Sequence, residues 1–405
     1  MVWVTEHQPT PAELAACVQC GLCLPHCPTF RLTGLENASP RGRLAAMNAV
    51  ADGVINLDAD FEEAMTFCLN CRACEAVCPS LVPYGRAMEG VHAELTAQRP
   101  NLHRRGRHFL LGRVLPSRGL MAAATTAARL TQGLSAGRLL PKRLRPGFGG
   151  LRRLLPPQPL VETYPPLASR RGRVGLLRGC VMEPWFPQVH QATIAVLTAA
   201  GFEVVVPPQQ TCCGALAAHD GAYSAARRLA ARNLAAFAGC DLVVADAAGC
   251  SAHLKEYHHW GEGGEELEIK VRDVTELAAS LLDEGLLPVS SVERGPVAVQ
   301  DPCHLRHAQR ITTAPRRLLA AAGYQPVEID PDGLCCGAAG IYSVTRPEAA
   351  AELGRRKAAQ VTASSSTLVA SANPGCEMQL RSYLPAWYRV AHPIELYHEA
   401  INASG

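Results

Sequence analysis

Eight cysteines in the first hundred residues constrain this chain more than any other feature. Cys17, Cys20, Cys23 and Cys27 precede Pro28, and Cys68, Cys71, Cys74 and Cys78 precede Pro79, so the spacing C-x2-C-x2-C-x3-C-P occurs twice. Two-residue gaps let one coiled turn bring three thiolates to three corners of a cubane. In two-cluster proteins with this spacing the fourth cysteine ligates the other cluster. The pattern predicts two [4Fe–4S] clusters, one on Cys17, Cys20, Cys23 and Cys78, the second on Cys68, Cys71, Cys74 and Cys27. Each fourth cysteine is expected to start the next helix. Gly21 and Ala73 fall where backbone passes close to the inorganic core and N–H groups reach sulfur. Tetrahedral zinc also uses four cysteines, but its ligands usually split into two distant pairs, whereas here three fall within seven residues. His26, Arg72 and Glu75 are read as local electrostatic residues rather than ligands.

The 405 residues suit two or three domains and contain 17 cysteines in all. The opening MVWVTEHQPT has neither a basic start nor an apolar stretch of signal length, and no uninterrupted apolar run is long enough to span a bilayer. The thiols are therefore expected to stay reduced in the cytoplasm, where clustered cysteines serve as metal ligands or redox groups. Helical patterning runs over Pro40–Ala51, Asp60–Phe67 and Gly85–Ala97, which makes residues 1–98 a helical unit with cysteine-bearing turns.

The second half contains a duplication. Strand-like segments lead from Arg173 to Cys180 and from Gly295 to Cys303. Each is followed by a helical stretch, a second strand and a Cys-Cys-Gly triplet: Cys212, Cys213 and Gly214, then Cys335, Cys336 and Gly337. Each copy later has an apolar strand ending in Gly-Cys, at Cys250 and Cys376. The order strand, helix, strand, helix, strand predicts a parallel α/β unit built twice, over 173–290 and 291–405, with every cysteine group just after a strand. Adjacent cysteines do not easily share one mononuclear ion. The eight thiols Cys180, Cys212, Cys213, Cys250, Cys303, Cys335, Cys336 and Cys376 thus admit three uses: a further cluster, a reactive dithiol, or buried packing. Cys240 lies outside the repeat and reads as a packing residue, and His304 and His307 as surface or capping residues.

These motifs together resemble a known family. CVQCGLCLPHCPTF, the SPRGR of Ser39 to Arg43, CLNCRACEAVCPS and the two Cys-Cys-Gly (CCG) repeats are similar to the glycolate oxidase iron–sulfur subunit. The resemblance implies an α-helical ferredoxin-like N-terminal domain followed by a duplicated α/β (CCG) domain. It also implies that the substrate site lies on FAD-containing dehydrogenase subunits that oxidise glycolate to glyoxylate. This chain would carry the electrons towards a quinone or other acceptor, with no catalytic residue of its own. Subunits of lactate or glycerol-3-phosphate dehydrogenases, and heterodisulfide-reductase-like thiol enzymes, are the alternatives. In some relatives a further cysteine, separated from the last one by two residues, completes an unusual cluster; here His253 stands at that position after Cys250, and Gln379 after Cys376.

Residues 99–172 join the halves. The stretch from Arg99 to Arg173 holds sixteen of the 39 Lys and Arg and only one acid, Glu162. It includes a Pro-rich run from Leu155 to Pro166. Amphipathic helices are expected around Phe109 to Leu140, where Arg104, Arg105, Arg107, Arg113, Arg118, Arg129 and Arg138 flank Phe109, Leu110, Leu111 and Leu120. Such a basic block suits an anionic membrane surface, at the cytoplasmic face of the inner membrane, an acidic partner, or simply a solvated face. Few aromatic residues interleave with it, so nucleic acid is not expected. No GxGxxG turn and no Walker lysine motif occurs, which agrees with a flavin held elsewhere.

Overall fold

The structure is a computed structural model that describes residues 3–133, 150–154 and 159–403. Over residues 3–98 the described chain forms helices and no strand. Helices span Pro11–Ala15, Pro28–Thr33, Pro40–Ala51, Ala59–Thr66, Ala73–Ala76 and Tyr84–Gln98. Their starts follow local chemistry. Ser39 caps the third by accepting from the Gly42 N–H at 3.0 Å, with Pro40 in the first turn. Asp58 does the same for the fourth at Phe61, 2.9 Å. Leu14, Met47, Phe61, Met65, Met88 and Val91 meet in a small core, against which Cys17, Cys23, Cys68 and Cys78 pack. Cys27 caps the helix that begins at Pro28, as expected. Cys78 does not start a helix: Pro79 and Ser80 form a turn, and the next helix waits until Tyr84, after a second proline at Pro83.

The basic segment is largely a strut. Helix Leu102–Phe109 runs through a π-turn, Leu110–Val114, and is followed by helix Arg118–Gly133. Residues 134–149, which include Arg138, and residues 155–158 of the Pro-rich run lie outside the described residues. Several arginines read as a free docking face are engaged within the chain. Arg104 is buried and donates to Glu62 at 2.7 Å and to the Leu95 carbonyl at 2.7 Å. Arg107 makes a forked pair with Asp220 at 3.0 and 3.1 Å. Arg118 stands 3.6 Å from Glu183. Leu111 enters the core of the following region. Leu102, Phe109, Leu110, Leu120 and Leu130 remain exposed.

Nine strands follow among the described residues: β1 (Thr163–Tyr164), β2 (Gly172–Leu176), β3 (Phe202–Val205), β4 (Leu242–Ala245), β5 (Val271–Asp273), β6 (Pro296–Gln300), β7 (Gln325–Glu328), β8 (Leu368–Ser371) and β9 (Arg389–Ala391). They form two sheets, ordered β1-β3-β2-β4-β5 and β7-β6-β8-β9. All neighbours are parallel except β1 and β3. The order β3-β2-β4-β5 repeats as β7-β6-β8-β9, so the duplication seen in the cysteines extends through the topology. Each copy has a fourth strand, β5 or β9, beyond the three expected. Each is three residues long, too short to show a period-two pattern. Helices Pro187–Ala199, Val274–Asp283, Thr313–Ala321 and Pro393–Asn402 from both copies share one apolar layer, in which Leu197, Leu281, Leu318 and Ile394 are buried together.

Arg152 fastens the end of the strut to the second copy. Its guanidinium donates to Glu377 at 2.7 Å and to Glu395 at 2.6 Å, and lies 5.1 Å from the Phe186 ring centre. Both carboxylates are buried. Removing one partner of such a group strands the other charges in a poor dielectric, at a cost of about 3–5 kcal/mol. Arg152→Ala is therefore expected to lower the unfolding temperature clearly in a thermal melt. Arg153→Ala, one residue along and exposed, should leave it unchanged.

Candidate metal centre

The two N-terminal cysteine loops have the same backbone. In the first, Gln19 (φ 53°) and Gly21 (φ 83°) are left-handed; in the second, Asn70 (φ 49°) and Arg72 (φ 62°) are. Left-handed residues flanking the middle cysteine coil the chain tightly enough for three sulfurs to face one space. Non-glycine residues rarely adopt that conformation unless the surroundings impose it. Gly21 thus corresponds to Arg72 and not to Ala73, which opens a short buried helix. Ala73 still serves its expected purpose, since its backbone N–H hydrogen-bonds the Cys71 sulfur. The Asn70 N–H donates to the Cys68 sulfur at 3.4 Å.

Two hollows result. The first is bordered by Cys17, Cys20, Cys23 and Cys78. The second is bordered by Cys68, Cys71, Cys74 and Cys27. Each takes three thiols from one motif and the fourth from the other, and Cys74 and Tyr84 form a wall common to both. No carboxylate lines either hollow; the charged side chains there are Arg41 at the first, and Arg43 and Arg72 at the second. Among the described residues no three His, Cys, Asp or Glu groups close on a point that a single ion would fill. A multinuclear cluster with four thiolate ligands carries net negative charge, and a thiol-ringed space with only cations beside it fits such a group. Arg72 itself bridges Glu75 at 2.7 Å and Glu256 at 2.5 Å, tying the second loop to the first CCG copy.

The Cys-Cys-Gly thiols gather as two sets at the carboxyl ends of the parallel strands. Gly214 (φ 98°) and Gly337 (φ 88°) make the turns that bury Cys212, Cys213, Cys335 and Cys336. Cys213 and Cys250 sulfurs are 3.4 Å apart. Sulfur contacts continue from Cys180 to Cys212, and in the other copy from Cys303 to Cys335 and from Cys336 to Cys376. The copies abut where the Ala248 N–H donates to the Ala372 carbonyl at 3.0 Å. Among the described residues only the second set shares an apolar cluster with an N-terminal thiol: Cys71, Leu69 and Ala73 pack with Cys335, Cys303 and Tyr342. No sequence signal pointed to that neighbour.

The histidines differ from their sequence reading. His304 is half-buried, and its Nδ1 lies 3.4 Å from the Cys303 sulfur. His307 is buried with Nε2 2.8 Å from the Gly333 carbonyl. His253 is buried near Gly214, and burial pushes its pKa down to about 3, so it is neutral. Gln379 donates to the Ala350 carbonyl at 2.8 Å. Cys240 is buried among the apolar residues beneath the first sheet.

Burial raises three of the N-terminal thiols. Cys23 is pushed up to about 11, and Cys71 and Cys74 well above the usual thiol value. Thiols that are neutral when folded but ionise when unfolded favour unfolding as pH rises. The metal-free chain should therefore lose stability between pH 9.0 and about 11, the ordinary and shifted values of Cys23. The metal-loaded chain, whose sulfurs are already deprotonated, should not. Denaturant unfolding of both forms across that window is the measurement.

Comparison with known proteins agrees with this geometry. Residues 13–82 match the 4Fe–4S dicluster domain family, and residues 174–255 and 297–381 the cysteine-rich CCG domain family. The chain is similar to the probable glycolate oxidase iron–sulfur subunit of Bacillus subtilis (strain 168), at 35% identity over 96% of this chain and 94% of that protein. Identity to the glycolate oxidase iron–sulfur subunit of Escherichia coli (strain K12) is 31%, with the same coverage. A fumarate reductase (CoM/CoB) subunit of Methanothermobacter marburgensis is 27% identical over 92% of this chain and 68% of its own. The cofactors are [4Fe–4S] clusters. The chain belongs to the glycolate oxidase iron–sulfur subunit family.

Proposed function

We propose that this chain is the electron-transfer subunit of a glycolate dehydrogenase complex. Four units divide the work: a ferredoxin-like domain over 1–98, a connector over 99–172, and CCG copies over 173–290 and 291–405. Cys17, Cys20, Cys23 and Cys78 hold one cluster, and Cys68, Cys71, Cys74 and Cys27 the second. The observation that carries the reading is that each hollow is bordered by three cysteines of one motif and the fourth of the other.

An FAD-containing partner oxidises glycolate to glyoxylate and delivers two electrons singly. Bound clusters supply one-electron acceptor and donor chemistry. The protein's residues hold them near each other, and Leu44, Val82, Leu69 and Tyr84 keep water from the inner walls. Cys20 is exposed, with Val18 and Leu22 bare beside it, which suits the first loop to meet the donor. Contact of Cys71 with the second CCG set supports an exit on that side. Arg105 and Arg113 beside exposed Phe109 and Leu110 support association with an anionic membrane surface and a quinone acceptor, at the cytoplasmic face. Among the described residues no helix is long and apolar enough to cross a membrane.

A second reading, thiol redox catalysis at the CCG sites, is favoured by the Cys213–Cys250 sulfur contact. Disulfide reduction by the isolated chain would replace the subunit reading with this one. Capture of an untagged flavoprotein whose activity selects glycolate over lactate and glycerol-3-phosphate would establish the subunit reading.

The ligand exchange predicts mutational pairs. Cys71→Ser and Cys27→Ser should abolish the same reduced-cluster resonance, and Cys78→Ser the other. Cys240→Ser should spare both. Electron paramagnetic resonance with iron analysis reads the result. Loss of one common resonance in Cys71→Ser and Cys78→Ser would assign the fourth cysteines to their own motifs.

A further inference from the structure

Arg43 is among the largest fully buried side chains of the molecule, at 1% exposure. It projects from helix Pro40–Ala51 to the wall of the second hollow and does not reach the first. Its Nε donates to the Ala64 carbonyl at 2.7 Å and its Nη2 to the Thr29 hydroxyl at 3.2 Å. Nη1 is buried with no hydrogen-bond partner. Among the described residues no carboxylate pairs with Arg43. The groups around it lead to thiols instead: Thr29 Oγ1 lies 3.2 Å from the Cys27 sulfur, and Tyr84, which contacts Arg43, donates its hydroxyl to the Cys68 sulfur at 3.8 Å.

The first hollow is treated differently. Its cation, Arg41, is forked onto Glu36 at 2.7 and 3.1 Å and is partly exposed, so its charge is offset and solvated. Arg72, the other cation at the second hollow, is balanced by Glu75 and Glu256. A buried guanidinium with no counter-ion is expensive unless something anionic completes it. The thiolate-bound cluster is the anion placed to do so, and each added electron strengthens the attraction.

We infer that Arg43 is a positioning residue for the second cluster, whose uncompensated charge raises that cluster's reduction potential above that of the first. This rests on the ligand assignment proposed above. With both clusters bound, that difference would favour one-electron transfer from the reduced first cluster to the oxidised second, whose ligand Cys71 packs against Cys303 and Cys335. Net charge, hydrogen bonding and solvent exposure are the levers by which proteins set such potentials, and Arg43 supplies uncompensated charge at the second hollow and not the first.

The test is a potentiometric titration of the anaerobically purified full chain, followed by electron paramagnetic resonance. The second cluster is identified by its loss in Cys71→Ser. Arg43→Gln should lower its reduced-to-oxidised ratio about tenfold at a fixed ambient potential, about 59 mV for a one-electron couple. Arg43→Lys should recover much of this, and the first cluster should not move. Arg41→Gln should leave the second cluster unmoved. Two intact clusters with unshifted potentials in Arg43→Gln would overturn the inference while leaving the ligand assignment standing. Failure of the Cys27 and Cys78 exchange would overturn the assignment instead. Should Arg43→Gln lose its cluster, pulsed resonance on the wild-type chain with 15N-labelled arginine decides. A guanidinium 15N coupling to the reduced second cluster supports the inference, and its absence defeats it.

Discussion

The N-terminal region depends on two thiol-lined hollows, each bordered by three cysteines of one motif and the fourth of the other. Its apolar core is small, and the two cysteine loops carry almost no hydrogen-bonded secondary structure. The loops meet at a common wall of Cys74 and Tyr84, with Cys27 and Cys78 each lining the hollow of the other motif. Small units with thin cores are commonly held by metal, whose binding energy then counts as folding energy. Four sulfurs converging on one space repel one another once ionised, and burial makes ionisation harder. The positive charge of iron is what makes the arrangement favourable.

The same logic explains which parts of the molecule were legible in the amino-acid sequence. Ligand spacing is a local property, so the double C-x2-C-x2-C-x3-C-P run could be read directly. Helix starts were equally local: Ser39 with Pro40, and Asp58, set boundaries by capping. The repeat showed itself because Cys180, Cys212 and Cys303, Cys335 keep one register. The fourth strands did not, since β5 and β9 are three-residue edges whose pairing is decided by β4 and β8. The correspondence of Gly21 with Arg72 was hidden because only a glycine advertises a left-handed backbone; Arg72 adopts it under restraint from Glu75 and Glu256.

Charge was the least legible property, because composition does not say where a counter-ion sits. The basic block suggested a free surface, yet Arg104, Arg107 and Arg152 each find carboxylates far along the chain, at Glu62, Asp220, Glu377 and Glu395. Those pairs set the spacing between the N-terminal helices and the two sheets. The exposed remainder, Phe109 and Leu110 with Arg105 and Arg113, is a much smaller face than the sequence implied.

Duplication did not produce equivalence. In the first copy the buried pair His190–Asp246, 2.6 Å apart, stands beneath the strand end that leads to Cys250. In the second copy the position matching Asp246 is Ala372, and the buried charge pair is instead Lys357 with Asp330, next to the loop that carries Cys335. The second thiol set therefore sits beside a buried ion pair on one side and the Cys71 loop on the other. The first set touches the N-terminal region through polar groups, with Asn70 and Glu89 contacting His219 at 3.0 and 2.8 Å. Cys74 and Tyr84 wall both hollows, and Cys71 at the second packs with Cys303 and Cys335. Arg43, which has no carboxylate partner among the described residues, stands at that second hollow, on the side where the CCG region meets an N-terminal thiol.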